Sequence, residues 1–156
     1  MAMLSREAIN MLGFKFVGEN VQISDRASFY EASRITLSND IRIDDFCVIS
    51  AGVGGISIGS NVHIAVGASL IGGGKITLCD FVGISSRTSI YSSNDDYSGA
   101  FMTGPTLPDE FTNVRHADVF VGKHVIVGSG SVILPGVTLE DGVAIGALSL
   151  VNKSCQ

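Results

Sequence analysis

Aliphatic residues return at every sixth position in the last part of the chain: Val121, Val127, Ile133, Leu139, Ile145 and Val151. Four residues after these come Val125, Ser131, Val137, Val143 and Ser149, all small or β-branched. The turn position between them is mostly glycine (Gly130, Gly136, Gly142). An α-helix repeats its apolar face about every 3.6 residues and an isolated strand every two, so neither produces a period of six. A chain that climbs as a coil with flat faces does, each face being a short strand followed by a turn. The pattern therefore predicts an all-β chain folded as a parallel β-helix.

The same period runs back to Val17 with small slips. Val17, Ile23 and Phe29 mark a first coil, with Val21, Ala27 and Ser33 at the small positions. Leu37, Ile43 and Ile49 mark a second, with Ile41, Cys47 and Val53. Ile58, Ile64 and Leu70 mark a third, with Val62, Ala68 and Gly74; Leu78, Ile84 and Ile90 mark a fourth, with Val82 and Thr88. Extra residues between coils (Ile35-Thr36, Gly54 to Ser57, Ile76-Thr77) are expected to enlarge one corner without breaking the phase. With the terminal repeats this makes about six coils. A β-sandwich of alternating strands does not account for Gly, Asn and Asp at a fixed sixfold phase. The phase turns Cys47 inward and Cys79 outward.

Two stretches depart from the period. Ser5 to Leu12 is the only helix-like piece, with Ser5 able to cap, Leu4, Ile9 and Leu12 on one edge, and Gly13 able to end it. Residues 1–16 are thus expected to form a helical cap over the open bottom of a coil spanning residues 17–156, since repeat arrays must cover their ends. Tyr91 to Asp118 has no sixfold pattern, two prolines and several acids. It is read as one long loop, residues 91–118, between the fourth and fifth coils. Loops of that length in a compact repeat are usually functional.

Composition narrows the function. The 156 residues carry a net charge of -5, which disfavours nucleic acid and anionic membrane surfaces as partners. Mean hydropathy is +0.40, yet no run approaches the roughly 18 apolar residues of a membrane span. MAMLSREAIN lacks the long apolar core of a signal peptide. Cys47, Cys79 and Cys155 are odd in number and widely spaced, with no metal or redox spacing, and are read as free thiols. The expectation is a cytoplasmic protein.

The run VGKHVIVGSGSVILPGVTLEDGVAIGALSLVNK resembles the terminal coils of the hexapeptide-repeat acyltransferases. The resemblance extends from Val17 onward and implies a left-handed β-helix, against the usual right-handed crossover. It also implies a homotrimer with acetyl-CoA or another acyl-CoA as co-substrate, held in a groove between neighbouring subunits, with no metal. His63-Ile-Ala, the run from Ile84 to Gly99 and the Pro105/Pro108 segment are similar, more narrowly, to sugar O- and N-acyltransferases of lipopolysaccharide or capsule biosynthesis, some of which act on nucleotide-linked amino sugars. In the galactoside and maltose acetyltransferase branch the catalytic histidine stands in a Gly-His-Pro stretch after the coil that ends here at Ile90. Coil-to-coil matching puts Asp95 in its place. Family members also continue past the last coil into a Pro-rich segment and a basic tail that touches CoA. This sequence ends at Gln156, so the resemblance implies a CoA site that is incomplete or differently built.

Acyl transfer from a thioester needs a group that takes a proton from the acceptor, a donor to the tetrahedral oxyanion and a groove that aligns two large substrates. Asp95, at the loop root, is the leading base. Asp96 beside it would repel it, and partial burial would raise the pKa of one of the two; the alternative is a pair of solvated loop acids. His63, read at a coil corner one coil below Asp95, is the second base candidate or an acceptor-binding group; the alternative is a surface or interface histidine. His116, beside Arg115 where the loop rejoins the coil, is a third candidate for base or diphosphate binding. His124 is read as structural. Ser85, Ser86 and Arg87 stand at the corner before the loop, where a hydroxyl can donate to substrate and Arg87 can pair with a carboxylate or phosphate. Tyr91 and Tyr97 can pack on a sugar or base, or simply anchor the loop. By position, the resemblance implies CoA contacts at Ser129, Ala147, Asn152 and Lys153, the last near a CoA phosphate.

Two other classes use the same coil. A γ-class carbonic-anhydrase-like site needs three converging histidines, and the chain's three share no coil. A non-enzymatic β-helix assembly or binding module is the alternative reading, set against it the long acidic loop.

Overall fold

Within each predicted repeat the side chains alternate in and out, and the inward ones are almost all aliphatic. In Val21–Ile23, Ile41–Ile43 and Val62–Ile64 two buried residues flank one exposed residue. Such a strand, buried on one side, can satisfy its backbone only against the coils above and below it. In the computed structural model, which describes residues 1–156, it does so. The strands form three parallel six-stranded sheets, each built from one strand per coil, so the stack has six three-strand coils. The bridge from Leu139 to Cys155 begins a further turn.

The three sheets are the faces of a triangular prism. Face 1 holds Phe16–Val17, Ile35–Leu37, Ile56–Ile58, Ile76–Leu78, Val119–Val121 and Thr138–Leu139. Face 2 holds Val21–Ile23, Ile41–Ile43, Val62–Ile64, Gly83–Ile84, Ile126–Val127 and Ala144–Ile145. Face 3 holds Ser28–Tyr30, Val48–Ala51, Ser69–Gly72, Ser89–Tyr91, Val132–Ile133 and Leu150–Val151. The sixfold positions stack in register: Leu37, Ile58, Leu78, Val121 and Leu139 on face 1, and Ile43, Ile64, Ile84, Val127 and Ile145 on face 2. All but Ile145, which is partly buried and packs against them, belong to one continuous core cluster of 30 buried residues.

The small positions at the 2/3 edge have a specific task. Thr88 and Ser131 are fully buried, and their hydroxyls donate to the carbonyls of Gly128 (3.3 Å) and Gly146 (2.9 Å) in the coil above. The buried Cys47 thiol donates in the same way to Ala65 (3.1 Å). Burial pushes that thiol above its ordinary pKa, so it is a packing residue rather than a nucleophile. All three cysteines are free; Cys47 is buried, and Cys79, next to the inward Leu78, is only partly covered.

Two details of the sixfold reading need correction. Ile35, Ile56 and Ile76 do not enlarge a corner; they are buried strand residues of face 1. The enlargement lies before them, at the 3/1 edge, so Ser33 is exposed and Val53 is 87% exposed instead of inward.

At the bottom, Ser5 caps the helix Arg6–Met11 by accepting from the Ala8 N–H (3.1 Å). Ile9 drops into the core, and the Arg6 guanidinium donates to the carbonyls of Val17 and Gly18. The long excursion leaves the 3/1 edge after Tyr91. Its root is a short antiparallel ribbon of Ser93–Asn94 with Arg115–His116. A 3-10 turn at Asp109–Phe111 and a bridge from Met102 to Thr112 organise its outer part.

The stack predicts unequal tolerance along one face. Ile64→Ala, in the middle of the core, should lower stability by about 2–5 kcal/mol, while Gln22→Ala, exposed on the same face, should change it by less than about 0.5 kcal/mol. Urea denaturation of both variants checks this; equal losses would mean that the inward column does not carry the fold.

Candidate active site

Because coils stack in register, residues about twenty apart in sequence become neighbours roughly 4.8 Å apart on a face. On face 2 the outward column runs Gln22, Arg42, His63, Gly83, Ile126, Ala144. Gly83 is the one member without a side chain, and a Cβ there would lie 2.9 Å from Ile126 Cδ1. The gap opens a hollow of about 250 Å3 bounded by His63 below, Ile126 above, and Ser85, Ser86 and Ser129 at the 2/3 edge. A second hollow of about 450 Å3 continues around that edge between Ser86, Arg87, Ser129, Gly130, Ala147 and Leu148. Arg87 takes a left-handed backbone (φ 57), which costs a non-glycine residue about 1–2 kcal/mol. Its side chain lies against Gly67, where a Cβ would come 3.3 Å from Arg87 Cγ.

His63 is not at a corner, as its position in the repeat had suggested, but in the middle of a strand. There it meets a partner that the sequence reading missed. His63 Nε2 lies 2.8 Å from Asp44 Oδ2, and Arg42 Nε lies 2.7 Å from Asp44 Oδ1. Asp44 is nearly buried. Burial raises its pKa, but the hydrogen bonds and charges of Arg42 and His63 outweigh that and hold the carboxyl below the ordinary 3.8. In the tautomer that carries its proton on Nε2, His63 donates to Asp44 and its Nδ1 is the acceptor nitrogen. Period-two alternation does place Arg42 and Asp44 on one side of their strand. Knowing that His63 sits above Arg42 takes the coil length as well.

The loop residues are elsewhere. The excursion leaves the 3/1 edge, the corner opposite face 2, so the core of the prism lies between Asp95 and His63 within one chain. Asp95 is exposed at the end of the root ribbon. Asp96 accepts from the Ser98 N–H (2.7 Å), the Ser98 hydroxyl and Asn113 Nδ2 (2.8 Å). These donors hold its pKa below the ordinary value, against the expectation that the adjacent pair would raise one carboxyl. Asp96 is a staple of the loop. His116 Nδ1 lies 2.6 Å from Ser93 Oγ, and its ring sits against Gly73. Tyr91 is half-buried in its strand and Tyr97 is 85% exposed. His124 stacks on Phe81 at the 1/2 edge, with ring centroids 4.9 Å apart.

Ser86, Arg87, Ser129 and Ala147 therefore share one groove with His63 beside it. Asn152 and Lys153 do not join it: they line a hollow of about 300 Å3 at the open end of the stack, with Ala144, Leu150 and Cys155. No group of three His, Cys, Asp or Glu side chains converges as a metal site.

Residues 118–153 match the bacterial transferase hexapeptide (six repeats) family. Over all 156 residues the chain is 56% identical to the dTDP-4-amino-4,6-dideoxy-D-glucose acyltransferase of Escherichia coli, covering 81% of that protein. The chain belongs to the hexapeptide-repeat acyltransferases. Among solved structures it resembles AntD, an N-acyltransferase from Bacillus cereus. An aspartate-to-asparagine variant of AntD with dTDP and coenzyme A superposes with TM-score 0.95 at 43% identity, over 100% of this chain and 83% of that one. A maltose O-acetyltransferase from Clostridium difficile 630, at 24% identity and TM-score 0.59 over 97% of this chain and 66% of that one, shares the fold alone. As a hexapeptide-repeat acyltransferase, the chain carries a groove at the 2/3 edge, between the coil of Ser86 and Arg87 and the terminal coils that the family pattern marks, and its loop at the 3/1 edge, the other end of face 3.

The Asp44 pairing has a pH signature. Its folded pKa is depressed, so the stability it contributes is present above the ordinary aspartate value and is lost as the pH falls through the lower folded pKa. Wild type should lose more stability than Asp44→Asn between about pH 5 and pH 2. Parallel pH–denaturation curves for the two proteins would contradict the assignment.

Proposed function

We propose that the protein transfers an acyl group from acyl-CoA to the amino group of a nucleotide-linked 4-amino-4,6-dideoxy sugar, in the biosynthesis of a surface polysaccharide. The observation that carries this reading is the 56% identity, along the whole chain, to the dTDP-4-amino-4,6-dideoxy-D-glucose acyltransferase. AntD, which binds dTDP-4-amino-4,6-dideoxyglucose and coenzyme A in one complex, supports it. The AntD variants change a serine and an aspartate ten residues apart. Ser85 and Asp95 reproduce that spacing, as do Ser86 and Asp96.

In the proposed reaction the amine lone pair attacks the thioester carbon. A C–N bond forms, the C–S bond breaks, the nitrogen gives up a proton, and the CoA thiolate leaves and is protonated. Asp95 is the group proposed to hold the amine and accept its proton. Unlike Asp96, its carboxylate is not tied into the loop's hydrogen bonds. Ser86 and Arg87, with Ser129 and Ala147, would line the approach of the thioester and pantetheine, and His63, steadied by Asp44, would bind the acceptor or relay a proton. Asn152 and Lys153 would reach CoA only from the end of the stack. Asp95, at the 3/1 edge, lies across the core from His63 on face 2 and a full face away from the groove at the 2/3 edge, which favours a site made by the loop of one subunit and the groove of another. The assembly proposed for it is a homotrimer. No helix is long and apolar enough to cross a membrane, which is compatible with the proposed cytoplasmic nucleotide sugar.

The test is thiol release from acetyl-CoA with dTDP-4-amino-4,6-dideoxyglucose against the corresponding 4-hydroxy sugar. Release with the amino sugar alone is expected; release with neither would sink the reading. Asp95→Asn should lower turnover about 10²–10⁴-fold with the fold intact. Mixing Asp95→Asn subunits with His63→Ala subunits should restore activity, because some mixed interfaces pair an intact loop with an intact groove. Mixed oligomers that stay as inactive as the parents would contradict a site shared between subunits.

A further inference from the structure

Directly below the loop root, the 3/1 edge carries a pocket that the groove and loop residues do not use. It has a volume of about 410 Å3 and is lined by Lys15, Arg34 and Lys75, with the hydroxyls of Ser33, Thr36 and Ser57. The register explains how three distant cations meet. Thr36 pairs with Phe16, Ile35 with Ile56, and Ile56 with Ile76. Arg34, Gly55 and Lys75 therefore hold the same place in three successive coils, with Lys15 at the coil beneath. Arg34 and Lys75 are two coil steps apart, roughly 10 Å. Gly55 between them has a left-handed backbone (φ 76) and no side chain, and a Cβ on it would lie 2.9 Å from the Arg34 carbonyl. The missing side chain leaves a notch between two long basic side chains.

None of the three cations is matched by a carboxylate. The only ion pairs in the chain are those of Arg42 and His63 with Asp44, on another face. In a chain of net charge -5 with ten Lys and Arg, three unpaired cations converging on one notch lined by hydroxyls select an anion with several oxygens. The pocket is also tied to the loop. The Lys75 N–H donates to Asp118 Oδ1 (2.8 Å), and His116 lies against Gly73, two residues before Lys75. A ligand seated here lies on the same edge as the Asp95 loop, one coil lower.

We propose that this pocket binds the diphosphate group of one of the two substrates, the nucleotide sugar or CoA. This rests on the acyl-transfer reading above, and its place beneath the Asp95 loop favours the nucleotide sugar. A diphosphate held between Arg34 and Lys75 would direct the attached sugar upward toward Asp95.

Calorimetric titration of dTDP and of CoA, separately, into wild type and the Arg34→Gln/Lys75→Gln variant tests it. Both side chains are on the surface, and a thermal melt of the variant verifies that it folds. The expected result is dTDP binding weakened at least tenfold, with a shallower salt dependence, and CoA binding changed less than twofold. The reverse selectivity would assign the pocket to CoA's diphosphate. Wild-type affinity of the variant for both ligands would overturn the proposal while leaving acyl transfer standing. A wild type that binds neither ligand and releases no thiol would overturn both.

Discussion

Each coil of this protein satisfies its backbone only through the coil next to it. A strand of two to four residues has no stability alone, and the three faces become sheets only because each coil repeats the same three bends. That lateral pairing fixes everything else. It sets the register, the register sets the outward columns, and the columns decide which side chains meet. His63, Arg42 and Asp44 form a network because one coil length places His63 above Arg42. The hollow beside them exists because the next member of the column is Gly83.

The same constraint explains where irregularity is tolerated. Coils five and six use three bare hexads, whereas the lower coils carry a few residues more, and the surplus always falls at the 3/1 edge. The excursion from Tyr91 to Asp118 is the extreme case at that edge. Closing a longer loop costs little once its ends are held. Here they are held by Ser92, which bonds the carbonyl of Gly74 (2.8 Å) and accepts from the Ala117 N–H (3.0 Å). The core therefore continues from Ile90 to Ile133 as if the loop were absent. What the coil exports is a groove at the 2/3 edge and a loop at the 3/1 edge, the two ends of face 3.

Much of this was legible in the residues. The period of six named most of the buried aliphatics, Ile35, Ile56, Ile76 and Val119 apart, because a narrow core admits one side-chain size at each recurring place. The loop's position was legible too, as the place where the period stops. Other features were not. Asp96 looked like a candidate for proton chemistry until Ser98 and Asn113 proved to occupy its oxygens. Val53 and Ser33 kept the arithmetic phase but lost the physical one, since extra residues at an edge shift the inward direction. Asp44, the partner of His63, carried no signal of its own, because its meaning depends on a residue nineteen positions away.

Sequence alone determined the fold class, the number of coils and the existence of one long excursion. Those are periodic properties, written in every repeat by the alternation of core and turn. Tertiary structure decided the rest: which outward residues share a groove, that the loop and the groove stand at different edges of one chain, and that Lys15, Arg34 and Lys75 face a common notch. These depend on coil length and corner geometry summed over whole turns. A local pattern contains no record of that sum, and one residue more at an edge changes it.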